Sequence, residues 1–336
     1  MLKPYNLLYI TVLWLLVIIG CNGCDDGPTQ HGGEQWPIMY QTDFGRMPRW
    51  SPDGSRLLFG GDTPGHPGIF IWDTEGEPVQ IAADVPAHNW DYRWSPDGSE
   101  VVFTCPGGES DSLTGVWVYN TADSTSRRMF PSGCDVCWAA DGAKLFLRLD
   151  NPSTGSPGVY RLILTAEKDS VTGCELAVAD GNKPLAAPAG DLLGYIDNPI
   201  NGALHIINST GEEALNVAPG VIEYKWSSSG KTLVCVLNDY TGGELTGELW
   251  LARPDSTRRL TRISQFTAYA APDSSSSQIA YSRWSAGRWD GLWLFRAPST
   301  NFQILSYGLN ADFNPASDKI AVNAPGGGIK VLVRSG

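Results

Sequence analysis

The stretch Trp50-Ser51-Pro52-Asp53-Gly54 decides the fold, because it returns along the chain at a nearly constant interval. The same five residue types stand at 94–98, which is 44 residues later, and a weaker copy occupies 138–142. Internal repetition with a period of about 40 to 50 residues is typical of propellers and other repeat arrays. The period therefore predicts a repeat architecture before any single motif is considered.

Four weaker copies continue this turn motif toward the C-terminus. They begin at Ala186, Trp226, Ala270 and Phe313. The copies are followed by a short apolar run, a polar loop, a second apolar run and a third, more polar run. Short β-branched and aromatic runs between turn residues predict strands. With the segment that leads into each motif, every unit has four strands, which is one propeller blade.

The sequence therefore predicts an all-β chain. We expect a single seven-bladed β-propeller of four-stranded antiparallel blades over residues 36–336, with six blades as the alternative. The last copy has room for only three strands, and the segment 37–42 is a strand without a blade. We expect this N-terminal strand to complete the last blade, because closure removes exposed sheet edges.

The turn motif has a physical interpretation. Pro suits an early turn position, Asp can bond backbone N–H groups two residues on, and Gly accepts a positive φ. The large apolar Trp can wedge between neighbouring blades. The repeated Asp suggests a metal ligand, but its presence in so many turns favours a role in the backbone.

Composition excludes nucleic acid as a partner. The chain has 336 residues and a formal net charge of −12, and no Lys/Arg cluster offsets that charge. Electrostatic attraction to a polyanion is therefore absent. Charged residues make up only 18% of the chain, which suits a β protein dense in turns.

The N-terminus has a different character. Lys3 precedes an apolar stretch at 7–19, which is shorter than the roughly 20 residues that a membrane span needs. Residues 1–20 therefore fit a secretory signal peptide. Residues 21–35 are polar and rich in glycine, and they predict a flexible tether.

The sequence Ile18-Ile19-Gly20-Cys21 resembles the bacterial lipobox. The resemblance implies cleavage before Cys21 and acylation of that residue, so the chain is expected to be an exported, membrane-anchored lipoprotein on the periplasmic or cell-surface side. Asn22, where an Asp would favour inner-membrane retention, favours the outer membrane if the cell has two membranes. The chain is expected to touch a membrane only through this anchor.

Three cysteines suggest a bridge between blades. Cys105 ends the second predicted strand of blade two, and Cys134 and Cys137 enter the first strand of blade three. These points lie on one face of adjacent blades, so we expect a disulfide from Cys105 to one of the other two. Export permits such a bond. A redox-active or zinc-binding Cys-x-x-Cys pair is the alternative, although no second pair or nearby His completes a zinc set.

Catalytic motifs are absent. The chain contains no Gly-x-Ser-x-Gly, no His-Glu-x-x-His and no phosphate-binding loop. The sequence therefore predicts no catalytic residue, no metal and no cofactor. His66 and His88, with nearby carboxylates, are the residues whose convergence would instead indicate a metal site.

Two loop segments, 88–92 and 283–290, mix aromatic and charged residues. By propeller connectivity both open on the face opposite the turn motifs. Such mixtures suit recognition of a peptide or a sugar, although the rings could simply cover the tops of blades. The candidate binding residues are His88, Trp90, Asp91, Tyr92, Arg283, Trp284, Arg288, Trp289 and Asp290.

The turn motif followed by an apolar strand resembles the WD40-like repeat of TolB-type propellers over about residues 37–333. The resemblance implies the propeller fold and a role as a protein-interaction platform, and it brings no catalytic residues. This chain lacks the α/β domain of that family and carries a lipobox instead.

The function expected from the sequence is that of a lipid-anchored scaffold outside the cytoplasm that binds an envelope protein or glycan. The alternative is an enzyme, either a polysaccharide lyase or a hydrolase, with its site at the central channel. A third possibility is a purely structural subunit of a larger envelope complex, which a large exposed apolar patch would favour.

Overall fold

The computed structural model describes residues 35–63, 66–83, 91–105, 114–150, 155–199, 202–208, 210–217, 219–241, 244–253, 256–263, 266–285, 287–298 and 300–335. Within them, 28 strands form seven four-stranded sheets and no helix occurs. No helix able to span a membrane is therefore found in these ranges. The predicted signal peptide lies outside the described residues, as does the tether up to residue 34. The seven-bladed prediction is confirmed, and the six-bladed alternative is wrong.

The strands follow one another in chain order through the blades, except that β1 (Ile38–Gln41) belongs to the last. Blade one contains β2 (Arg46–Trp50), β3 (Leu57–Thr63), β4 (His66–Trp72) and β5 (Val79–Ala83), and blade two contains β6 (Tyr92–Trp94), β7 (Glu100–Cys105), β8 (Gly115–Asn120) and β9 (Thr125–Phe130). Blade three contains β10 (Cys134–Trp138), β11 (Lys144–Leu149), β12 (Gly158–Leu164) and β13 (Val171–Ala179). Blade four contains β14 (Asn182–Ala186), β15 (Leu193–Ile196), β16 (Leu204–Ile207) and β17 (Glu213–Val217). Blade five contains β18 (Val221–Trp226), β19 (Leu233–Thr241), β20 (Glu244–Arg253) and β21 (Ser256–Ile263). Blade six contains β22 (Phe266–Pro272), β23 (Gln278–Ser285), β24 (Arg288–Arg296) and β25 (Thr300–Leu305). Blade seven contains β26 (Leu309–Phe313), β27 (Lys319–Asn323) and β28 (Ile329–Val333), together with β1.

The first strand of each blade lies nearest the axis of the ring. First strands of neighbouring blades contact one another, as β18 and β22 do. The fourth strands are the more exposed ones, and in β5 and β9 at least half of the side chains are exposed to solvent. The first strands therefore line a central channel.

The hydrophobic core lies between the blades. Seven clusters of buried side chains fill the described part of the molecule, and each joins two neighbouring blades. The indole N–H of Trp50 donates to the carbonyl of Asp312 in the preceding blade at 3.2 Å, and that of Trp94 donates to Arg49 in the same way. The motif tryptophans therefore pack between neighbouring blades, as the sequence predicts.

The ring closes through its N-terminal strand, as the sequence predicts. Strand β1 pairs antiparallel with β28, and Ile38 lies opposite Leu332. Just before β1, Trp36 is buried and its ring packs edge-on against Phe313, with ring centroids 6.2 Å apart. Blade seven therefore contains one strand from the beginning of the chain and three from its end.

The side chains of the turn motif bind groups of the same turn, including its backbone N–H. The Asp53 carboxylate accepts the Ser55 N–H at 3.0 Å and the Ser51 hydroxyl, and Gly54 has a φ of 72°. The Ser51 hydroxyl and the Ser55 N–H hold the pKa of Asp53 at about 2. Asp97 makes the corresponding bonds in blade two. These aspartates therefore have the predicted backbone role, and Asp97 also pairs with Lys168 of the next blade at 3.5 Å.

The sixth copy of the motif starts two residues later than its sequence suggests. Asp273 N–H bonds to the Gln278 carbonyl, and Ser276 N–H bonds to the Asp273 carbonyl, which is the pattern of the first motif. Pro272 therefore takes the place of Trp50, so the assignment of Ala270 is wrong. The pattern Ala-Ala-Pro-Asp imitates the motif in sequence, but the turn is set by the backbone bonds.

Candidate functional site

The first strands present two side-chain positions to the central channel. In β6 the side chains of Tyr92 and Trp94 are buried, whereas that of Arg93 and that of the preceding Asp91 are half-buried. Alternate side chains of a strand point to opposite faces, so the residues one and three before each motif Trp face the channel. We call these the lower and the upper channel positions.

A bulge marks the upper position in most blades. Register shifts occur there in β2, β10, β14, β18, β22 and β26. Five of the residues at the upper position have a positive φ, between 49° and 57°: Met47, Asp135, Lys183, Tyr269 and Asn310. A bulge leaves a residue of the strand out of the ladder and re-aims its side chain.

Charged residues dominate the channel. Four cations and four anions occupy its two positions: Arg49, Asp91, Arg93, Asp135, Lys183, Glu223, Lys225 and Asp312. Seven of these eight were not singled out from the sequence. Aligning the copies on the motif Trp would have shown polar residues at spacings of one and three, in strands that are otherwise apolar.

The channel carboxylates bind the next blade around the ring. Glu223 accepts the backbone N–H of Tyr269 at 2.6 Å, and Asp312 accepts that of Trp50 at 2.8 Å. Asp91 accepts the N–H of Val136 in the same way. These bonds join blade five to six, seven to one and two to three. The carboxylates therefore hold blades together.

Burial alters the protonation of this cluster. It raises the pKa of Asp91 to about 7, partly opposed by Arg93 and reinforced by Asp135. It also raises the pKa values of Asp135 and Glu223. Because burial disfavours the charged form, Asp91 and Asp135 retain a proton closer to neutral pH than isolated aspartates do.

One ion pair spans the channel. The ammonium of Lys225 in blade five bonds to the carboxylate of Asp312 in blade seven, and it also reaches the Ala311 carbonyl at 3.3 Å. Blade six offers only Ala271 at this level, which leaves room for the crossing. Burial lowers the pKa of Lys225 to about 8, and Asp312 opposes that shift.

Blade six carries an aromatic shelf beside the channel, formed by Phe266, Tyr269, Trp284 and Trp289. Phe266, Trp284 and Trp289 lie opposite one another on three neighbouring strands. The ring of Trp289 lies 6.0 Å from Phe266, 5.7 Å from Tyr269 and 5.4 Å from Trp284. All four side chains are half-buried, and the Trp289 indole nitrogen has no hydrogen-bond partner in the described structure.

The charged neighbours of the shelf hold it in place. The Arg283 guanidinium donates hydrogen bonds of 2.7 to 3.0 Å to the Asp290 carboxylate. It also lies 3.7 Å from the centre of the Trp293 ring. The Asp290 carbonyl accepts a bond from the Gln303 amide at 2.6 Å. Arg283 and Asp290 therefore support the shelf, whereas Arg288 is exposed at the hairpin tip.

The predicted loop 88–92 divides into three parts. His88 and Trp90 lie outside the described residues, and Asp91 faces the channel. Tyr92 is fully buried, and its hydroxyl accepts the Gly60 N–H at 2.8 Å and donates to the Met47 carbonyl at 2.9 Å. The burial and these bonds favour a structural role for Tyr92 in joining blades one and two, and its assignment as a binding residue stays a prediction.

The structure contains no disulfide among its described cysteines. The Cys137 sulfur faces blade four, where it accepts the Ala186 N–H at 3.4 Å, and the Cys134 sulfur lies 3.9 Å from the Arg148 carbonyl of its own blade. Cys105, Cys134 and Cys137 are all free in the structure, so the predicted bridge is not formed there. Burial raises the pKa values of Cys134 and Cys137 to about 12, which keeps both thiols protonated.

No group of three or more His, Cys, Asp or Glu side chains is placed to hold a metal ion within the described ranges. The channel carboxylates Asp91, Glu223 and Asp312 each accept a backbone N–H group of the next blade. Two ion pairs are found among these described channel residues, Lys225–Asp312 and Arg93–Asp91.

Comparison with known proteins supports the architecture. No family model matches the sequence, and no curated protein matches it. Among solved structures, hydrazine synthase of Kuenenia stuttgartiensis is similar at a TM-score of 0.63 and 13% identity, over 91% of this chain and 99% of that chain. The chain is a β-propeller. At this identity the likeness shows the fold alone.

A second similar structure is the β-propeller domain of the trilobed protease from Pyrococcus furiosus. It matches at a TM-score of 0.58 and 13% identity, over 83% of this chain and 91% of that one. That domain has an open velcro topology. Here, in contrast, β1 pairs with β28 and closes the ring.

Proposed function

We propose that this chain is a TolB-like, lipid-anchored propeller outside the cytoplasm that binds a protein or polymer of the cell envelope and is not an enzyme. The observation that carries the proposal is the aromatic shelf. The turn motif joins β22 to β23, so Trp284 and Trp289, at the far ends of β23 and β24, lie on the opposite face of the ring. Half-buried aromatic side chains at such a place are typical of binding sites.

The aromatic shelf is held in a fixed conformation in the free protein. The Arg283–Asp290 pair and the stacking of Arg283 on Trp293 fix the hairpin that bears Trp284 and Trp289. A rigid surface loses little conformational entropy when it binds.

A pull-down from the native envelope, followed by mass spectrometry, tests this proposal. We expect the wild-type protein to recover a stoichiometric partner and Trp289→Ala to lose at least ten-fold of it. Val79→Ser is the matched control, because Val79 is an apolar side chain 61% exposed on the outer strand of blade one. Equal recovery by Trp289→Ala and the control variant would contradict a binding role for the shelf.

The lipid anchor is tested separately. We expect the wild-type protein to incorporate radiolabelled palmitate and to sediment with membranes, because acylation at one residue anchors a chain to the bilayer. Cys21→Ser is expected to lose the label and move to the soluble fraction. Cys24→Ser, three residues away, is the control and keeps both properties. A label retained in Cys21→Ser would place the anchor elsewhere.

One observation favours the second candidate, an enzyme at the central channel. Asp91 and Asp135 are carboxylates of neighbouring blades whose pKa values are raised by burial, as those of general acids are. Both also accept backbone N–H groups of the next blade, which favours the structural role. A screen for polysaccharide degradation, with and without divalent metal, separates the two. Turnover by the wild-type protein that Asp91→Asn abolishes would support the enzyme.

A further inference from the structure

Two arginines stand in the channel at equivalent positions of neighbouring blades. Arg49 in blade one and Arg93 in blade two each stand one residue before a motif Trp. Arg93 donates to the Tyr92 carbonyl at 2.8 Å and lies 3.9 Å from Asp91. The Arg49 guanidinium makes no hydrogen bond or ion pair with any residue that the structure describes.

This arrangement is electrostatically unfavourable. A guanidinium stays charged in proteins, so Arg49 cannot lower the energetic cost of its burial by losing a proton. Burial and, next, the repulsion of Arg93 both lower its pKa. A buried charge is costly unless it is paired and hydrogen-bonded. Arg49 is only half-buried, and its donors have no protein acceptor among the described residues.

The nearest carboxylates are already engaged. One oxygen of Asp312 bonds to the Lys225 ammonium, and the other accepts the Trp50 N–H. Glu223 accepts the Tyr269 N–H, and burial raises the pKa of its carboxyl. Neither acid forms an ion pair with Arg49.

The lower channel position carries an excess of positive charge. Its charged residues are three cations and one anion: Arg49, Arg93, Lys225 and Asp312. The channel is also open to solvent there, because the side chain of Arg93 is 29% exposed and that of Lys225 is 20% exposed. A small anion can therefore reach a place where the protein supplies donors and net positive charge.

We propose that Arg49 and Arg93 form a binding site for an oxyanion, a phosphate or a carboxylate, inside the central channel. The planar fork of a guanidinium matches two oxygens of either group. The inference goes beyond the proposed function, since it concerns the channel and not the shelf. It holds for a free anion as well as for the anionic end of a larger ligand.

Thermal unfolding and calorimetric titration of the full chain test the site. The probes are inorganic phosphate and acetate, each compared with chloride at equal ionic strength. We expect at least one oxyanion to raise the Tm with concentration, because a ligand that binds only the folded state stabilises it. Phosphate acting alone identifies a tetrahedral anion, and acetate acting alone identifies a carboxylate.

Arg49→Gln is expected to lose the response to oxyanions. In chloride alone it is expected to melt higher than the wild type, since the unpaired charge is gone. Arg259→Gln is the control, because Arg259 pairs with Glu248 on the outer strand of blade five and is 53% exposed. It should keep the full response, which excludes a general effect of surface charge.

Arg49→Lys keeps the charge but removes the fork, and it is expected to bind the oxyanion about tenfold more weakly. If Arg49→Gln fails to fold, the comparison of Arg49→Lys with the wild type tests the site instead. The site is contradicted if neither oxyanion stabilises the wild type more than chloride does. It is equally contradicted if Arg49→Lys and the wild type bind the oxyanion with equal affinity.

Discussion

At the scale of the residue, the side chains of the repeat act on backbone groups. Asp53 accepts an N–H of its own turn, and Trp50 donates to a carbonyl of the preceding blade. The Tyr92 hydroxyl and the Tyr224 hydroxyl both bond to the bulge carbonyl of the blade before them. The repeat is thus a set of devices for holding a turn and joining one blade to the next.

Asp53→Ala is expected to destabilise the protein by about 1 kcal/mol at pH 7, because the turn loses a charged acceptor. Its contribution has a definite pH window. The pKa of Asp53 falls from an ordinary 3.8 to about 2, so the stabilisation is present above pH 3.8 and is lost as the pH falls through 2. Urea unfolding at pH 7 measures the loss. Glu77→Ala, an exposed residue of the same blade, is expected to change little.

Tyr92→Phe is expected to destabilise the protein by about 2 kcal/mol, because the buried Gly60 N–H loses its acceptor. Tyr119→Phe is the control, since Tyr119 is also buried and its hydroxyl has no bond in the described structure. Chemical unfolding compares the two variants. Equal stabilities would contradict the structural role, and a loss of ligand binding by a stable Tyr92→Phe would support the recognition role.

At the scale of the element, pairing of strands and bulges determines what faces the channel. The strands and their order follow from the sequence, since apolar runs and turn residues recur with the period. The bulges do not, because five of them rest on a positive φ at ordinary residues such as Met47 and Lys183. For the same reason the spacing of Cys105, Cys134 and Cys137 placed them on adjacent blades but could not give the directions of their sulfurs.

Strand β1 is expected to fasten the ring through Trp36. Trp36→Ala removes a buried ring that packs on Phe313, and we expect a loss of about 3 to 5 kcal/mol. Met39→Ala is the control, because Met39 lies in β1 but is 57% exposed. Thermal and urea unfolding measure both. An equal and small effect of the two substitutions would show that the N-terminal strand does not fasten the ring.

At the scale of the whole molecule, the channel joins the blades electrostatically. Carboxylates link neighbouring blades, and the Lys225–Asp312 pair links blades five and seven across blade six. The number of blades and the closure of the ring were predictable from counting motif copies. The channel charges were not predicted, since each looks like an ordinary polar residue until the ring brings all of them together.

The stability of the ring is expected to depend on pH through Asp91. The pKa of its carboxyl rises from 3.8 to about 7 on folding. A group with a raised pKa stabilises fully below pH 3.8, and this contribution is lost as the pH rises through 7. Asp91→Asn still accepts the Val136 N–H but cannot ionise, so it is expected to melt higher than the wild type at pH 8 and no higher at pH 4.

Glu77→Gln is the control for that comparison, because this exposed carboxyl group lies outside the channel. Its Tm is expected to follow the wild type at both pH values. An equal difference in Tm between Asp91→Asn and the wild type at pH 4 and pH 8 would contradict ionisation of Asp91 as the cause.

The most direct measurement is hydrogen–deuterium exchange of the lipidated protein, with and without its native envelope extract. If the mouth of the channel at blade six is the binding surface, exchange is expected to slow in the hairpin of β23 and β24 and in the neighbouring β22. Slower exchange confined to outer strands such as β5 or β13, with none in that hairpin, would contradict it.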